Sequence, residues 1–131
     1  LLTMAGLISS LSPRLREEVY AFCTVDGGIA DYAALDPVAT VKEDEGLTLI
    51  LPAAVARREG FSFECTFRCI TLMVHSSLES VGLTAAVSSE LAAYGIPANI
   101  VAGYYHDHVF VPGDRAAEAL ELLEAMAGNG N

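Results

Sequence analysis

The pattern of hydrophobic residues in the first part of the chain predicts a short helix followed by strands. A short apolar segment over residues 3–11, with Thr3 as its N-cap, predicts a helix that ends before Ser12-Pro13. Residues 18–25 carry apolar side chains on both faces, which predicts a strand in the centre of a sheet. Residues 38–41 and 47–51 then predict a β-hairpin around the turn Glu43-Asp44-Glu45-Gly46.

A short helix and a change of strand phase follow in the middle of the chain. Pro52 opens the helix and Gly60 closes it. From Phe61 to Phe67 the odd positions are apolar, which predicts a half-buried strand, but after Arg68 the apolar face moves to the even positions. This shift predicts a bulge, or a strand that passes from one sheet unit to the next. We therefore expect an N-terminal half over residues 1–67 and a C-terminal half over residues 68–131.

A helical pattern follows the first strand of the C-terminal half. Apolar residues recur every four positions between Gly82 and Tyr94, which predicts a helix there. A second β-hairpin is predicted at residues 98–104 and 108–111. The last helix is expected over residues 114–126, with Asp114 as its N-cap.

The chain contains a hairpin-then-helix unit twice. Leu49-Ile50-Leu51-Pro52 precedes one alanine-rich helix, and Val109-Phe110-Val111-Pro112 precedes another. The C-terminal order β-α-β-β-α is that of a ferredoxin-like fold without its final strand. The predicted fold class is therefore α+β, with two tandem halves, antiparallel sheets and helices on one face. Unpaired edges would favour pairing between the halves or between copies of the chain.

Charge narrows the classes of partner. Seven basic and seventeen acidic residues give a formal charge of -10. Such a surface repels a phosphate backbone, so neither nucleic acid nor an anionic membrane is expected as a partner. The composition is 53% hydrophobic, and no uninterrupted apolar run reaches the roughly 18 residues that a membrane span needs. We expect a soluble protein whose apolar surface is covered in a homodimer.

The cysteines and the N-terminus bear on compartment and cofactors. Cys23, Cys65 and Cys69 are odd in number, so at least one is unpaired, which favours a reducing cytoplasm. A zinc site would need ligands that no second Cys-x-x-Cys or His pair supplies nearby. No basic region precedes the first apolar residues, unlike a secretory signal. We expect a cytoplasmic protein with no metal and no other cofactor.

Four stretches of the C-terminal half occur in a characteristic order. They are Ile70-Thr71-Leu72-Met73-Val74-His75-Ser76, Val81-Gly82-Leu83-Thr84-Ala85-Ala86-Val87, Gly95-Ile96-Pro97-Ala98-Asn99-Ile100 and Tyr104-Tyr105-His106-Asp107-His108-Val109-Phe110-Val111-Pro112. In these stretches the chain resembles an ACT domain, in particular the tandem ACT-like proteins of bacteria and related amino-acid sensors, and the resemblance extends more weakly over the first half. It implies a regulatory module that binds a small ligand, usually an amino acid, between ACT units and controls an enzyme or partner protein without catalytic activity of its own.

One loop in this region has the chemistry to bind a zwitterion. The N–H groups at the start of the predicted helix attract a carboxylate, Thr84 adds a hydroxyl, and Asp107 on the neighbouring hairpin is placed to pair with an ammonium group. The resemblance adds Asn99 and Ile100, where ACT ligands usually meet the protein. The predicted ligand-binding residues are Ser80, Val81, Gly82, Leu83, Thr84, Asn99, Ile100 and Asp107.

Other interpretations of these residues stay open. Gly82 and Asp107 are also common turn residues. The His106/His108 pair, with His75 at a distance, is compatible with a metal or catalytic group, but no further metal ligand and no nucleophile elbow is identifiable. Structural roles, including aromatic contacts in a dimer interface, are the simpler interpretation. The alternative to a sensor is a protein-protein interaction or dimerisation module with no small ligand.

Overall fold

Residues 3–75, 78 and 81–129 are described by the computed structural model of this chain. They form two units: the larger contains the described residues up to Glu17 and from Arg68 onward, and the smaller contains residues 18–67. Strand β1, Pro13–Val25, therefore contributes its first part to the larger unit and its second part to the smaller one. The chain passes back into the larger unit at the predicted boundary of the two halves, while residues 3–17 belong to the larger unit as well. The division of the chain into halves at residue 67 stays a prediction.

The smaller unit is an antiparallel sheet with short helices. Its strands have the order β2-β3-β1, with β2 at Ala39–Glu43 and β3 at Gly46–Pro52. Helix α2 spans Ile29–Tyr32, and α3 spans Ala53–Glu59. The register sets Ala21 opposite Leu51 and Cys23 opposite Leu49, so their side chains share one face and form the core with Leu47, Ala53 and Ala56.

The larger unit has three helices and a four-stranded arrangement. Helix α1 spans Met4–Ser9, and strand β4 spans Phe67–Leu72. Helix α4 spans Leu83–Ala93, and α5 spans Ala116–Asn129. Strands β5 and β6 are Asn99–Ala102 and Asp107–Pro112, in the sheet order β1-β4-β6-β5.

The core of the larger unit lies between its helices and one face of the sheet. Ile70 and Leu72 of β4, with Val109 and Val111 of β6, meet apolar side chains of the helices. The alternate strand residues, such as Thr71 and His108, point to the other face because side chains alternate along a strand. The predicted α+β plan with antiparallel pairing and helices on one face is confirmed.

Two local predictions were wrong, each for a reason of geometry. Residues 61–66 contain no strand, because β4 begins only at Phe67. The shift in hydrophobic phase near Arg68 therefore marks the start of a strand and is not a bulge. Asp114 does not cap the last helix, because it lies inside a 3-10 turn, Gly113–Arg115, that directly precedes α5.

Other local predictions are confirmed. The Thr3 hydroxyl accepts a hydrogen bond from Gly6 N at 3.0 Å, as an N-cap does. Gly60 ends α3 with a φ of 75°, in the left-handed region that glycine enters easily. Among the helices that the described residues form, none combines the length and apolar character needed to cross a membrane.

Candidate functional site

The junction that leads into α4 is built on a glycine. Gly82 has a φ of 104° and a ψ of -25°, a conformation that side chains strongly disfavour. No side chain among the described residues caps α4 by a hydrogen bond. The first-turn N–H groups of this helix are therefore not satisfied by a described cap, which is the condition under which a helix start attracts an anion.

Helix α1 contributes a side chain to the same junction. A Cβ atom placed on Gly82 would lie 2.9 Å from Cε of Met4. The Met4 side chain thus lies directly over the start of α4. Sequence patterns did not identify Met4 as a site residue, because it lies 78 positions before Gly82 and only the packing of α1 brings it there.

Asp107 is located at the same end of the larger unit. It is the first residue of β6, opposite Ala102, and its side chain shares the sheet face of Val109 and Val111, against which the helices pack. The start of β6 lies next to the end of β4, since His106 Nδ1 is 3.5 Å from the Val74 carbonyl oxygen. Leu83 at the start of α4 belongs to the same core cluster as Val109, so Asp107 and the start of α4 lie on the same, helix-facing side of the sheet.

The structure does not bring all the predicted residues together. Asn99 pairs with Phe110 near the far end of the hairpin, and its side chain points to the face opposite that of Ile100 and Asp107. Leu83 is buried in the core, and Ile100 packs against that core. Thr84 is exposed, Val81 is 89% exposed, and Ser80 lies outside the described residues. Of the predicted set, Gly82, Thr84 and Asp107 lie on the helix-facing side of the sheet, with Val81 next to Gly82 in the chain.

Exposed aromatic residues surround this end of the unit. The ring centroids of Tyr104 and Tyr105 are 5.1 Å apart in an edge-to-face arrangement, and Tyr105 is 5.6 Å from the His75 ring. Tyr104 and Tyr105 are both largely exposed. In the part of the chain that is described, no group of three or more His, Cys, Asp or Glu side chains is arranged to hold a metal ion.

The smaller unit has an open cleft where strand β1 leads into helix α2. It has a volume of about 370 Å³ and is lined by Asp26-Gly27-Gly28, which follows β1, and by residues 42–47 of the β2–β3 hairpin. Asp31 accepts a hydrogen bond from Gly28 N at 2.9 Å, and Tyr32 donates its hydroxyl hydrogen bond to the Asp26 carbonyl oxygen. Sequence patterns did not reveal this cleft, although the pair Gly27-Gly28 directly after a predicted strand was a signal for it.

The lining of the cleft is mainly acidic. Asp26, Glu43, Asp44 and Glu45 contribute carboxylates, while Lys42 contributes an ammonium group. The volume falls in the range of small-molecule pockets. A ligand that carries a positive group would therefore be favoured in this cleft.

Comparison with models of protein families shows to which family this chain belongs. One model described as an ACT domain matches residues 2–68, half of the chain, and a second ACT domain model matches residues 64–125. The chain belongs to the ACT domain family. The predicted resemblance is confirmed, and so is the predicted fold, two tandem ACT-type, ferredoxin-like domains. ACT domains are typically regulatory ligand-binding modules.

Solved structures agree with this assignment to the ACT family. A Vibrio cholerae protein of unknown function, described as a possible transport protein, is 53% identical, with 89% of each chain covered and a TM-score of 0.84. An Agrobacterium tumefaciens protein is 17% identical over 88% of this chain and 87% of its own, with a TM-score of 0.73. The ligand-free regulatory subunit of aspartate kinase from Thermus thermophilus is 10% identical over 89% of this chain and 97% of its own, with a TM-score of 0.67. At such low identities the last two show a common fold.

Curated proteins add no further relative, because none of them matches this chain significantly. The ACT assignment therefore rests on the two family models, and the solved structures show the shared fold.

Proposed function

We propose that this ACT protein is a regulatory module that binds a free amino acid and has no catalytic activity. The observation that carries the proposal is the start of α4, where Gly82 brings the chain into an 11-residue helix without a described side-chain cap. A ligand carboxylate at this point would accept hydrogen bonds from backbone N–H groups and gain from the helix dipole. Relatives with the same fold include a regulatory subunit of aspartate kinase, which supports a regulatory role.

Asp107 gives the proposed site an acidic group that can pair with the ammonium group of the ligand. Its carboxylate lies on the helix-facing side of the sheet, at the end where α4 begins. A ligand with its carboxylate at α4 and its ammonium group at Asp107 satisfies both charges, and Thr84 offers a hydroxyl at the first helical turn. Val81, exposed beside the junction, is available to contact the ligand side chain. This pairing favours a zwitterion over a simple acid or amine.

Regulation requires that the ligand change an equilibrium between two arrangements of the protein. Met4 lies over Gly82, so a ligand at α4 would contact or displace a side chain of α1. We place the output in self-association as a homodimer, or in binding of a partner protein, in a reducing cytoplasm where the three free thiols persist. A coupling of about 1–3 kcal/mol between ligand and assembly is sufficient for such control.

A thermal-shift screen of the full chain against the twenty amino acids tests the proposal. Binding to the folded state at one hundred times the dissociation constant adds about 2.7 kcal/mol of stability, so one or a few amino acids should raise the Tm selectively. Asp107→Asn should abolish the rise, whereas Glu121→Gln on an exposed position of α5 should preserve it. Sedimentation of the protein with and without the amino acid then reports the change in assembly.

The same screen separates the two candidate places for the ligand. If Lys42→Gln removes the rise and Asp107→Asn does not, the amino acid binds in the acidic cleft of the smaller unit and the α4 site is wrong. If no amino acid raises the Tm, and titration calorimetry detects no binding of any amino acid to the folded protein, the proposed function is wrong.

A further inference from the structure

Three polar side chains of the larger unit meet on the sheet face that the helices do not cover. Arg16 of β1, Thr71 of β4 and His108 of β6 alternate along their strands with core residues, so all three point away from the helices. Arg16 Nε donates to Thr71 Oγ1 at 3.1 Å, and Thr71 Oγ1 lies 3.0 Å from His108 Nδ1. Thr71 is only 1% exposed and holds the other two side chains in place.

Arg16 is a partly buried cation without an acidic partner. The salt bridges found among the described residues join Arg58 to Glu59 and Arg115 to Glu118, and none includes Arg16. Its hydrogen bond to Thr71 uses Nε, which leaves the two terminal nitrogens without a partner in the described part of the chain. A charge that loses water without gaining a counter-ion is unfavourable, and this occurs in a chain whose formal charge is -10.

Two further arginines of the larger unit, Arg14 and Arg68, lie close to Arg16. Arg68 donates from Nε and Nη2 to the Arg16 carbonyl oxygen at 3.0 and 2.5 Å. Arg14 projects from the same face of β1 as Arg16, because the two are separated by one residue. Arg14 and Arg16 therefore share this face of the sheet, whereas Arg68 starts from the face of Ile70 and holds the Arg16 backbone.

The hydrogen bonds also define which atom of His108 is free to donate. Because Thr71 Oγ1 accepts from Arg16, its hydroxyl proton is available for His108 Nδ1, and the imidazole proton then resides on Nε2. Burial lowers the pKa of His108 most, and the charges of Arg16 and His106 lower it further, while Asp107 raises it. The nearby Cys69 thiol, 3.9 Å from Thr71 Oγ1, has a pKa raised by burial and is uncharged.

We propose that Arg16, Thr71 and His108 form a second binding site, which takes a small oxyanion such as the carboxylate or phosphate group of a metabolite. The terminal nitrogens of Arg16 bind two of the oxygens in the fork geometry that guanidinium groups offer to such anions. The negative charge offsets the repulsion between Arg16 and a protonated His108, so binding of the anion is coupled to uptake of a proton by this histidine. The site is independent of the function proposed above, because it lies on the opposite face of the sheet from Asp107 and the start of α4.

NMR titration of the histidine rings in the full chain tests the site with two probes, inorganic phosphate and succinate. The signals of the three histidines are followed against pH at constant ionic strength, and His108 is assigned from the spectrum of His108→Asn. The expected result is a saturable shift of the His108 signals and a higher pKa for that ring in the presence of a probe, with His75 and His106 unchanged. A wild-type His108 that titrates identically with and without both probes would overturn the proposal.

Variants establish whether Arg16 holds the anion. Arg16→Gln should weaken the apparent affinity for the probe about tenfold or more, the loss expected for hydrogen bonds to a charged group. Arg16→Lys retains the charge and should recover part of the affinity, while Arg115→Gln, which removes an ion-paired arginine elsewhere, should leave it unchanged. Equal affinity in wild type and a folded Arg16→Gln, or equal shifts of all three histidines, would also overturn the site. Amino-acid binding is measured separately with Asp107→Asn, so each proposal can fail while the other stands.

Discussion

Thr71 Oγ1 lies 3.0 Å from His108 Nδ1, although the two residues are 37 positions apart in the chain. The same oxygen accepts the hydrogen bond of Arg16 Nε, so one buried hydroxyl joins strands β1, β4 and β6 of the larger unit. Among the described residues, Thr71 is the polar residue that is buried, with 1% exposure. This hydroxyl links the strand pairing of the unit to the ionisation of a histidine.

Removal of the Thr71 hydroxyl should destabilise the fold. Thr71→Val keeps the volume but leaves Arg16 Nε and His108 Nδ1 without their partner, and unsatisfied buried groups cost about 1–3 kcal/mol. Thr71→Ser keeps the hydroxyl and should recover most of that loss. Urea denaturation of both variants gives the free energies of unfolding, and equal values for valine and serine would contradict the role of the hydroxyl.

Stability should fall in mildly acidic solution because of His108. Its pKa in the folded protein is lowered below the ordinary value of 6.5 by burial and by the neighbouring charges of Arg16 and His106. The unfolded chain therefore takes up a proton at higher pH than the folded chain, and the free energy of unfolding decreases as the pH falls through 6.5 toward the lower, folded-state pKa. Below the folded-state pKa both states are protonated and the loss is complete.

A variant isolates that histidine from the other titrating groups. His108→Asn keeps an acceptor near the position of Nδ1 but does not titrate, so its unfolding free energy should depend less on pH between neutrality and pH 5 than that of wild type. His75→Asn serves as the control for a ring outside the Thr71 network. Parallel pH curves for wild type and His108→Asn would show that the ring contributes no pH dependence.

Two glycines that start or end helices should differ in their tolerance of alanine. Gly60 has a φ of 75°, close to the left-handed helical region, and open space around it, so Gly60→Ala should cost about 1–2 kcal/mol. Gly82 has a φ of 104°, farther from the left-handed helical value of about 57° than Gly60, while the Met4 Cε atom 2.9 Å from its Cβ ends a flexible side chain that can move aside. Gly82→Ala should therefore cost more, up to about 3 kcal/mol. Thermal unfolding in the absence of ligand measures both, and an equal or smaller loss at Gly82 would be inconsistent with this geometry.

The three thiols should react at very different rates. Cys65 is exposed, whereas Cys23 and Cys69 are buried and have pKa values raised by that burial. Because the thiolate is the reactive form, one thiol per chain should react quickly with a disulfide reagent in the folded protein and all three after unfolding. Cys65→Ser should remove the fast phase. A fast phase that survives this substitution would show that a buried thiol is accessible.

Much of the larger unit was predictable because its signals are local. The four-residue spacing of Leu83, Val87 and Leu91 predicted α4, and all three are buried. By contrast, the alternation over residues 61–66 resembled a strand but produced none, since alternation alone does not supply a neighbouring strand with which to pair. Asp114 is a good capping residue, yet the chain turns into α5 through a 3-10 turn that begins at Gly113.

The candidate ligand site stays a prediction, and the structure brings only some of its predicted residues to one side of the sheet. Gly82 and Asp107 were identified from the chemistry of a helix start and an acidic hairpin residue. Asn99 was grouped with them by resemblance, but the pairing of Asn99 with Phe110 directs its side chain to the other face of the sheet. The register of a hairpin sets which face a side chain occupies, and a pattern of residue types does not reveal it.

By itself the sequence determined the order of the strands and of every helix except the short α2. It also determined the duplicated hairpin-then-helix unit and the acidic character of the chain, because these follow from periodicity and composition over short segments. The tertiary structure decided that residues 3–17 join the larger unit, that Met4 covers Gly82, and that Arg16, Thr71 and His108 meet. The two hydrogen bonds of Thr71 join it to residues that are 55 and 37 positions away in the chain. Such proximity arises from packing and strand register, which depend on the whole unit at once.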